Sequence, residues 1–200
     1  MLLTPCVVVG IMTLERVRDA AYAIGCEIKT SAIGPAYRIE LLADAEANLP
    51  DTPQADGRML GYSTGVALPN GVAHLESIQL RRYTGYWRRS RAAAALAPPA
   101  DRYARVPRFR QHGLGLLLSV AVFCYIRERA PFGCSRAELL AIFDNPAQHR
   151  TLVRYYRRMG FAPLREVGDG VGSFVDLMAW GGTGLLMDVE VDAFLARHES

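Results

Sequence analysis

The chain has 200 residues, half of them hydrophobic and 22% charged, with a net charge of +3. That balance fits one globular domain with a sizeable core; it excludes wholesale disorder, a collagen-like or coiled-coil rod and a disulfide-stapled miniprotein. The longest central apolar run, Gly113 to Ile126, is too short to span a bilayer as a helix.

Taken in chain order, the apolar stretch from Met1 to Met12 lacks the positive flank of a secretory signal, and Cys6 to Met12 reads as a buried first strand. Thr13 offers an N-cap for a helix whose apolar face is Leu14, Val17, Ala21 and Ile24, stopped by Gly25. Ala36 to Ala43 is a second strand, followed by a polar loop. Met59 to Leu68 and Val72 to Leu80 flank Pro69-Asn70-Gly71, which predicts a hairpin with a tight primed turn. Tyr83 to Arg108 looks like an insertion. Gly115 to Arg129 is apolar on nearly every side, as a helix buried between layers would be. Ala137 to Phe143 reads as a strand. Asn145 caps the next helix, with Pro146 in its first turn, Gln148 three residues on, a face of Leu152, Val153, Tyr156 and Met159, and Gly160 as its stop. Strands Phe161 to Val167 and Ser173 to Trp180 then precede a short helix from Val189 to His198. The order predicts an α/β (α+β) fold: a mixed, mostly antiparallel sheet with helices on both faces.

The charge is unevenly placed. Arginine supplies 22 of the 23 basic residues, and Arg81 to Arg110 holds nine of them against Asp101 alone, leaving −5 for the rest. Such a segment attracts an anion: the phosphorylated end of a cofactor, nucleic acid or an acidic partner. Tyr83, Tyr86 and Trp87 beside the arginines also permit stacking on bases. Cys6, Cys26, Cys124 and Cys134 form no C-x-x-C and no paired spacing with histidine, so no metal site is expected, and a reducing, cytoplasmic compartment fits best.

Arg110-Gln111-His112-Gly113-Leu114-Gly115 lies just before the buried helix. Glycines there let main-chain amides approach an anion, and the helix start adds free N–H groups and a positive dipole end. With the strand from Ala137 and the helix ending Tyr155-Tyr156-Arg157-Arg158-Met159-Gly160-Phe161, the chain resembles the GNAT acetyltransferase superfamily, over Met59 to Trp180 by motif and over the first 58 residues by element order. The resemblance implies a single GNAT-like domain, with the Arg-rich insertion at about 81–109 and a C-terminal helical extension at about 181–200.

It further implies acetyl-CoA as donor, with no metal, and an N-acetyltransferase passing acetyl to a primary amine by direct attack in a ternary complex. Arg110, Gln111, His112, Gly113, Leu114, Gly115 and Leu116 would hold the pyrophosphate. The main chain of Ile78, Gln79 and Leu80 would pair with the pantetheine arm, in a wedge where that strand splays from the next. His149 stands where the family often has Asn, and Leu152 where it often has Ala. Tyr156, the Tyr three residues before Gly-Phe, would protonate the departing thiolate. Glu76 and His74, two residues apart on one face of their strand, are the candidate bases, Glu76 first. A non-catalytic GNAT-fold module binding nucleic acid or an acidic partner through the insertion is the other reading. No membrane partner is expected, and both monomer and homodimer remain open.

Overall fold

A computed structural model describes residues 12–43, 59–80, 113–168 and 179–199. The strand expected at Cys6 to Met12, the Arg-rich insertion with Arg110, Gln111 and His112, and most of the strand expected at Ser173 to Trp180 lie outside the described residues.

Helix α1 (Leu14–Tyr22) starts as expected: Thr13 accepts from the amide of Arg16 at 3.2 Å, and Glu128 from a later helix accepts from the amide of Leu14 at 2.8 Å. Both contacts satisfy amides that a helix start leaves without a partner. Strand β1 (Cys26–Ile33) pairs in antiparallel register with β2 (Ala36–Ala43), which pairs with β3 (Met59–Ala67). β1 was not expected from the sequence, because from Lys29 onward it loses its buried alternation and ends exposed at the sheet edge.

The hairpin from β3 to β4 (Val72–Leu80) is present, but its turn differs from the expected one. Gly71 donates to the carbonyl of Leu68 at 3.0 Å and has φ +77°, whereas Asn70 stays at negative φ. A three-residue loop with one left-handed glycine therefore replaces the primed turn. Pro69 explains this, since its ring fixes φ near −65° and suits the first turn position of the ordinary hand.

Helix α2 (Leu114–Arg129) is buried without interruption from Gly115 to Ile126. It lies over β2, β3 and β4 and packs against α1 and the last helix, so every face of it meets protein. Its polar exception, Ser119, donates back to the carbonyl of Gly115 at 2.8 Å. Burial of leucines such as Leu117 and Leu118 contributes roughly 1.5–3 kcal/mol each and fixes the helix against the sheet.

A short 3-10 turn (Pro131–Gly133) leads to β5 (Arg136–Ile142), then α3 (Pro146–Met159) and β6 (Ala162–Val167). Asn145 caps α3, accepting from the amides of Ala147 at 2.8 Å and Gln148 at 3.4 Å, and Gly160 ends it at φ +108°. The chain's end differs from expectation. Gly184–Glu190 is strand β7 and the helix, α4 (Val191–His198), begins only after it, while Ala179 and Trp180 are helical rather than extended. The stretch expected to be a helical extension thus supplies an internal strand. Its alternation of Met187 and Val189, packed in the core, with half-exposed Asp188 accounts for this.

The seven described strands run in the order β1-β2-β3-β4-β5-β7-β6, and all neighbours are antiparallel except β4 and β5. Leu75, Leu139 and Met187 share consecutive rungs and face the core with α2 and α4. His74, Glu138 and Asp188 share the next rung, so they occupy the opposite face, where helical Trp180 stacks on His74. Helical residues therefore lie on both sides of the sheet, as the sequence led one to expect.

Candidate functional site

β4 and β5 pair over four rungs only, from Val72–Arg136 to Leu75–Leu139. Beyond Leu75, β4 stays bonded to β3 through Leu80, but its other edge has no described strand beside it. The main chain of Ile78, Gln79 and Leu80 thus borders an opening between two parallel strands, at their carboxyl ends. In open sheets of this kind, the carboxyl ends of parallel strands are where ligands bind.

A local device accompanies the separation. Thr64 pairs with Ser77 and Gly65 with Leu75, which leaves Glu76 as the extra residue of a β-bulge. A side chain on Gly65 would stand 2.3 Å from the carbonyl oxygen of His74, in space filled by the Tyr37 hydroxyl. That hydroxyl lies 3.4 Å from the same carbonyl, to which it donates. Burial, followed by the field of Cys134, raises the Tyr37 pKa, so it remains a donor. The bulge corrects the simple alternation expected for His74 and Glu76: a bulge re-aims the strand, and Glu76 sits exposed at its apex.

The mouth of α2 opens at the same end of β4. Gly115 in its first turn lies against the Leu80 side chain; a β-carbon there would be 3.3 Å from Leu80 Cδ1. The cap residue, Gly113, has φ +69° and ψ −160°, a region essentially restricted to glycine, and makes no side-chain cap bond. Among the described residues no atom lies within 4 Å of where its β-carbon would be. The first amides of α2 therefore begin at an open, glycine-shaped mouth, with the positive end of a 16-residue helix behind them. Of the expected pyrophosphate residues, Gly113, Leu114, Gly115 and Leu116 stand there.

On α3, two adjacent tyrosines divide the space. Tyr156 is half-buried, with its ring 5.8 Å from Phe161 and 5.5 Å from Tyr155. The Tyr155 hydroxyl reaches α2, lying 3.1 Å from a β-carbon position on Gly115. Burial holds both phenols above their ordinary pKa, that of Tyr156 helped by Tyr155, so both carry a proton at neutral pH. Sequence reasoning had passed over Tyr155; the neighbouring Tyr-Tyr pair was the available signal. His149 lies at the carboxyl end of β5, its Nδ1 3.2 Å from the carbonyl oxygen of Ile142. It lines a recess of about 290 Å³ with Phe143, Glu166, Thr183 and Leu185, on the β7 side of β5.

The described cysteines, Cys26, Cys124 and Cys134, are buried, and no disulfide joins any two of them. Burial pushes the Cys124 thiol up to about 12 and raises that of Cys134, which keeps both as unreactive thiols. Among the described residues no group of three or more His, Cys, Asp or Glu could hold a metal ion, and no helix is long and apolar enough to cross a membrane.

The parting of β4 from β5 beside an uncapped buried helix is the arrangement that the resemblance implied. The fold is an α/β (α+β) one, a mixed and mostly antiparallel sheet with helical residues on both faces. No family model and no curated protein matches the chain. Similar solved structures include an acetyltransferase of the GNAT family from Staphylococcus aureus, with 13% identity over 79% of this chain and 69% of that one at a TM-score of 0.45. Another is Ard1 from Thermoplasma volcanium, with 14% identity over 76% and 69% at a TM-score of 0.42. Likeness at this level assigns no residue a role.

Proposed function

We propose that this protein is an acyl-CoA-dependent N-acetyltransferase that passes acetyl from acetyl-CoA to a primary amine by direct attack. The opening between β4 and β5, ending at the mouth of α2, is the observation that carries the reading. A diphosphate suits the mouth at Gly113, where no described side chain intrudes and the first-turn amides of Leu114, Gly115 and Leu116 are donors. Arg110, Gln111 and His112, just upstream in sequence, are assigned to the same diphosphate grip. An amide-bearing arm suits the edge of Ile78, Gln79 and Leu80 that no described strand pairs.

When bound, acetyl-CoA supplies an activated carbonyl and a thiolate leaving group. The protein then has three tasks: to orient the thioester, to accept a proton from the attacking amine and to return one to sulfur. Tyr156 is the acid in this reading, since a buried phenol keeps its proton until a thiolate forms. Glu76 and His74, on β4 beside the opening, are the two candidates for the base. The inert state of Cys124 and Cys134 favours a ternary complex over an acyl-cysteine at either position.

Wild-type protein is expected to gain thermal stability on titration with acetyl-CoA, because a ligand bound only by the folded state stabilises it by mass action; about 2.7 kcal/mol follows at a hundredfold excess over Kd. A screen of amines by CoA release then finds the acceptor. With it, Tyr156→Phe should lower kcat roughly 10²-fold with little change in acetyl-CoA affinity. A full rate in that variant removes Tyr156 as the acid. Salt-sensitive nucleic-acid binding without any acetyl-CoA stabilisation would instead favour the binding-module reading.

A further inference from the structure

The face of the sheet turned away from the core carries a cluster of charged and aromatic groups on the rung next to the point where β4 and β5 part. His74 Nε2 lies 3.7 Å from Glu138 Oε2. Glu138 Oε1 accepts from Arg136 Nη2 at 3.1 Å, and the same Arg136 nitrogen meets Asp188 Oδ2 at 3.1 Å. Trp180 stacks on the imidazole, with centroids 4.4 Å apart and planes inclined by 27°. One face of the imidazole is thus covered by an indole, and one ring nitrogen faces a carboxylate that an arginine holds in place. Glu76, by contrast, is exposed and makes no hydrogen bond or ion pair among the described residues.

The charged groups around the ring come from three strands: Glu76 on β4, Glu138 and Arg136 on β5, and Asp188 on β7. Burial lowers the His74 pKa, against the opposing pull of Glu138 and then Glu76. Starting from an ordinary value near 6.5, the imidazole is neutral at pH 7 and free to take a proton.

We propose that His74 accepts the proton of the attacking amine, and that Glu138 is the positioning residue that fixes its ring. The inference rests on the acetyl-transfer reading. His74 takes a proton from the bound ammonium; the freed amine nitrogen then bonds to the acetyl carbon as the C–S bond breaks, Tyr156 gives its proton to the thiolate, and the proton that the nitrogen sheds on becoming an amide goes to solvent. The imidazolium then returns its proton to solvent and the phenolate regains one, so amide and thiol leave with the balance intact. Neither the Glu138 carboxylate nor the parallel register that sets it beside His74 enters the reading of the sequence motif.

Two nucleophiles test the proposal: 1,4-diaminobutane, which is protonated at neutral pH and needs a base, and hydroxylamine, which is largely unprotonated and does not. With Glu138→Gln and with His74→Gln, CoA release to 1,4-diaminobutane should fall about tenfold or more, while release to hydroxylamine stays within about twofold. Glu138→Asp should restore part of the loss. In Glu138→Gln the acid limb of the pH profile, and the ring titration of His74 followed by NMR, should move to lower pH, because the carboxylate that supports the imidazolium is gone. Retained stabilisation by acetyl-CoA shows that each variant is folded.

Equal losses with both nucleophiles, or no loss with either, overturn the proposal. So does a His74 ring that is protonated at pH 7 or whose titration ignores Glu138→Gln. A wild type that binds acetyl-CoA but serves neither nucleophile leaves the ring titration as the deciding measurement. A wild type that acetyl-CoA does not stabilise fails the acetyl-transfer reading itself, a result distinct from these.

Discussion

Gly113→Asp is expected to weaken CoA binding at least ~100-fold, measured by calorimetry on the folded variant. Two effects add. The glycine holds φ +69° and ψ −160°, so any side chain costs about 1–3 kcal/mol of backbone strain or shifts the first turn of α2. A carboxylate beside a diphosphate adds repulsion of roughly 4 kcal/mol per charge pair at 4 Å and an effective dielectric of 20. Because no described atom lies within 4 Å of the β-carbon position, the described part of the fold does not collide with the new residue. Gly113→Asn separates the effects: it has nearly the same shape without the charge, so it should weaken binding less. Equal affinity in wild type and Gly113→Asp would remove the helix mouth as the diphosphate site.

The second large effect is on stability. Gly65→Ala should lower stability by about 3 kcal/mol, the upper end of ordinary overpacking, which at this chain length is roughly 6–12 °C in Tm. The new methyl would sit 2.3 Å from the carbonyl oxygen of His74 and from the Tyr37 hydroxyl, and 2.5 Å from Tyr37 Cζ. Two of these atoms belong to a buried ring, and the third to backbone, so neither neighbour yields cheaply. Gly65 also pairs with Leu75, the last β4 residue that pairs with β5. The strand separation should be disturbed along with the fold, and acetyl-CoA should stabilise the variant less. Gly34→Ala is the control: unlike Gly65 it holds a positive φ, +57°, but its β-carbon would meet nothing within 4 Å among the described residues. It should cost only about 1 kcal/mol of backbone strain. An unchanged Tm for Gly65→Ala would show that the bulge relaxes freely.

Helix signals were the most legible part of the sequence. Thr13, Asn145-Pro146 and Gly160 act through their immediate neighbours, and each is found where local chemistry placed it. α2 was legible for a different reason: apolar residues on every side leave only a position between layers. β1 and β7 were missed for different reasons. β1 is half exposed at an edge, and β7 is inserted between β5 and β6, an order that no local pattern announces.

The candidate site divides in the same way. Gly113 and Gly115 could be singled out because glycine before a buried helix has few other uses. The bulge at Glu76 could not be, since it depends on Gly65 and Tyr37 from two other strands. Glu138 lay inside what read as a plain apolar strand, and only the parallel register brings it to His74. Tyr155 shows the limit of a motif: Tyr156 matches the family spacing, yet the neighbouring hydroxyl is the one resting on α2.

Amide NMR of the wild type, titrated with CoA, addresses the grip on the cosubstrate most directly. The largest shifts are expected at Gly113, Leu114, Gly115 and Leu116, with a second set at Ile78, Gln79 and Leu80 on the free edge of β4. Shifts confined to other surfaces at saturating CoA, or none at all, would contradict it.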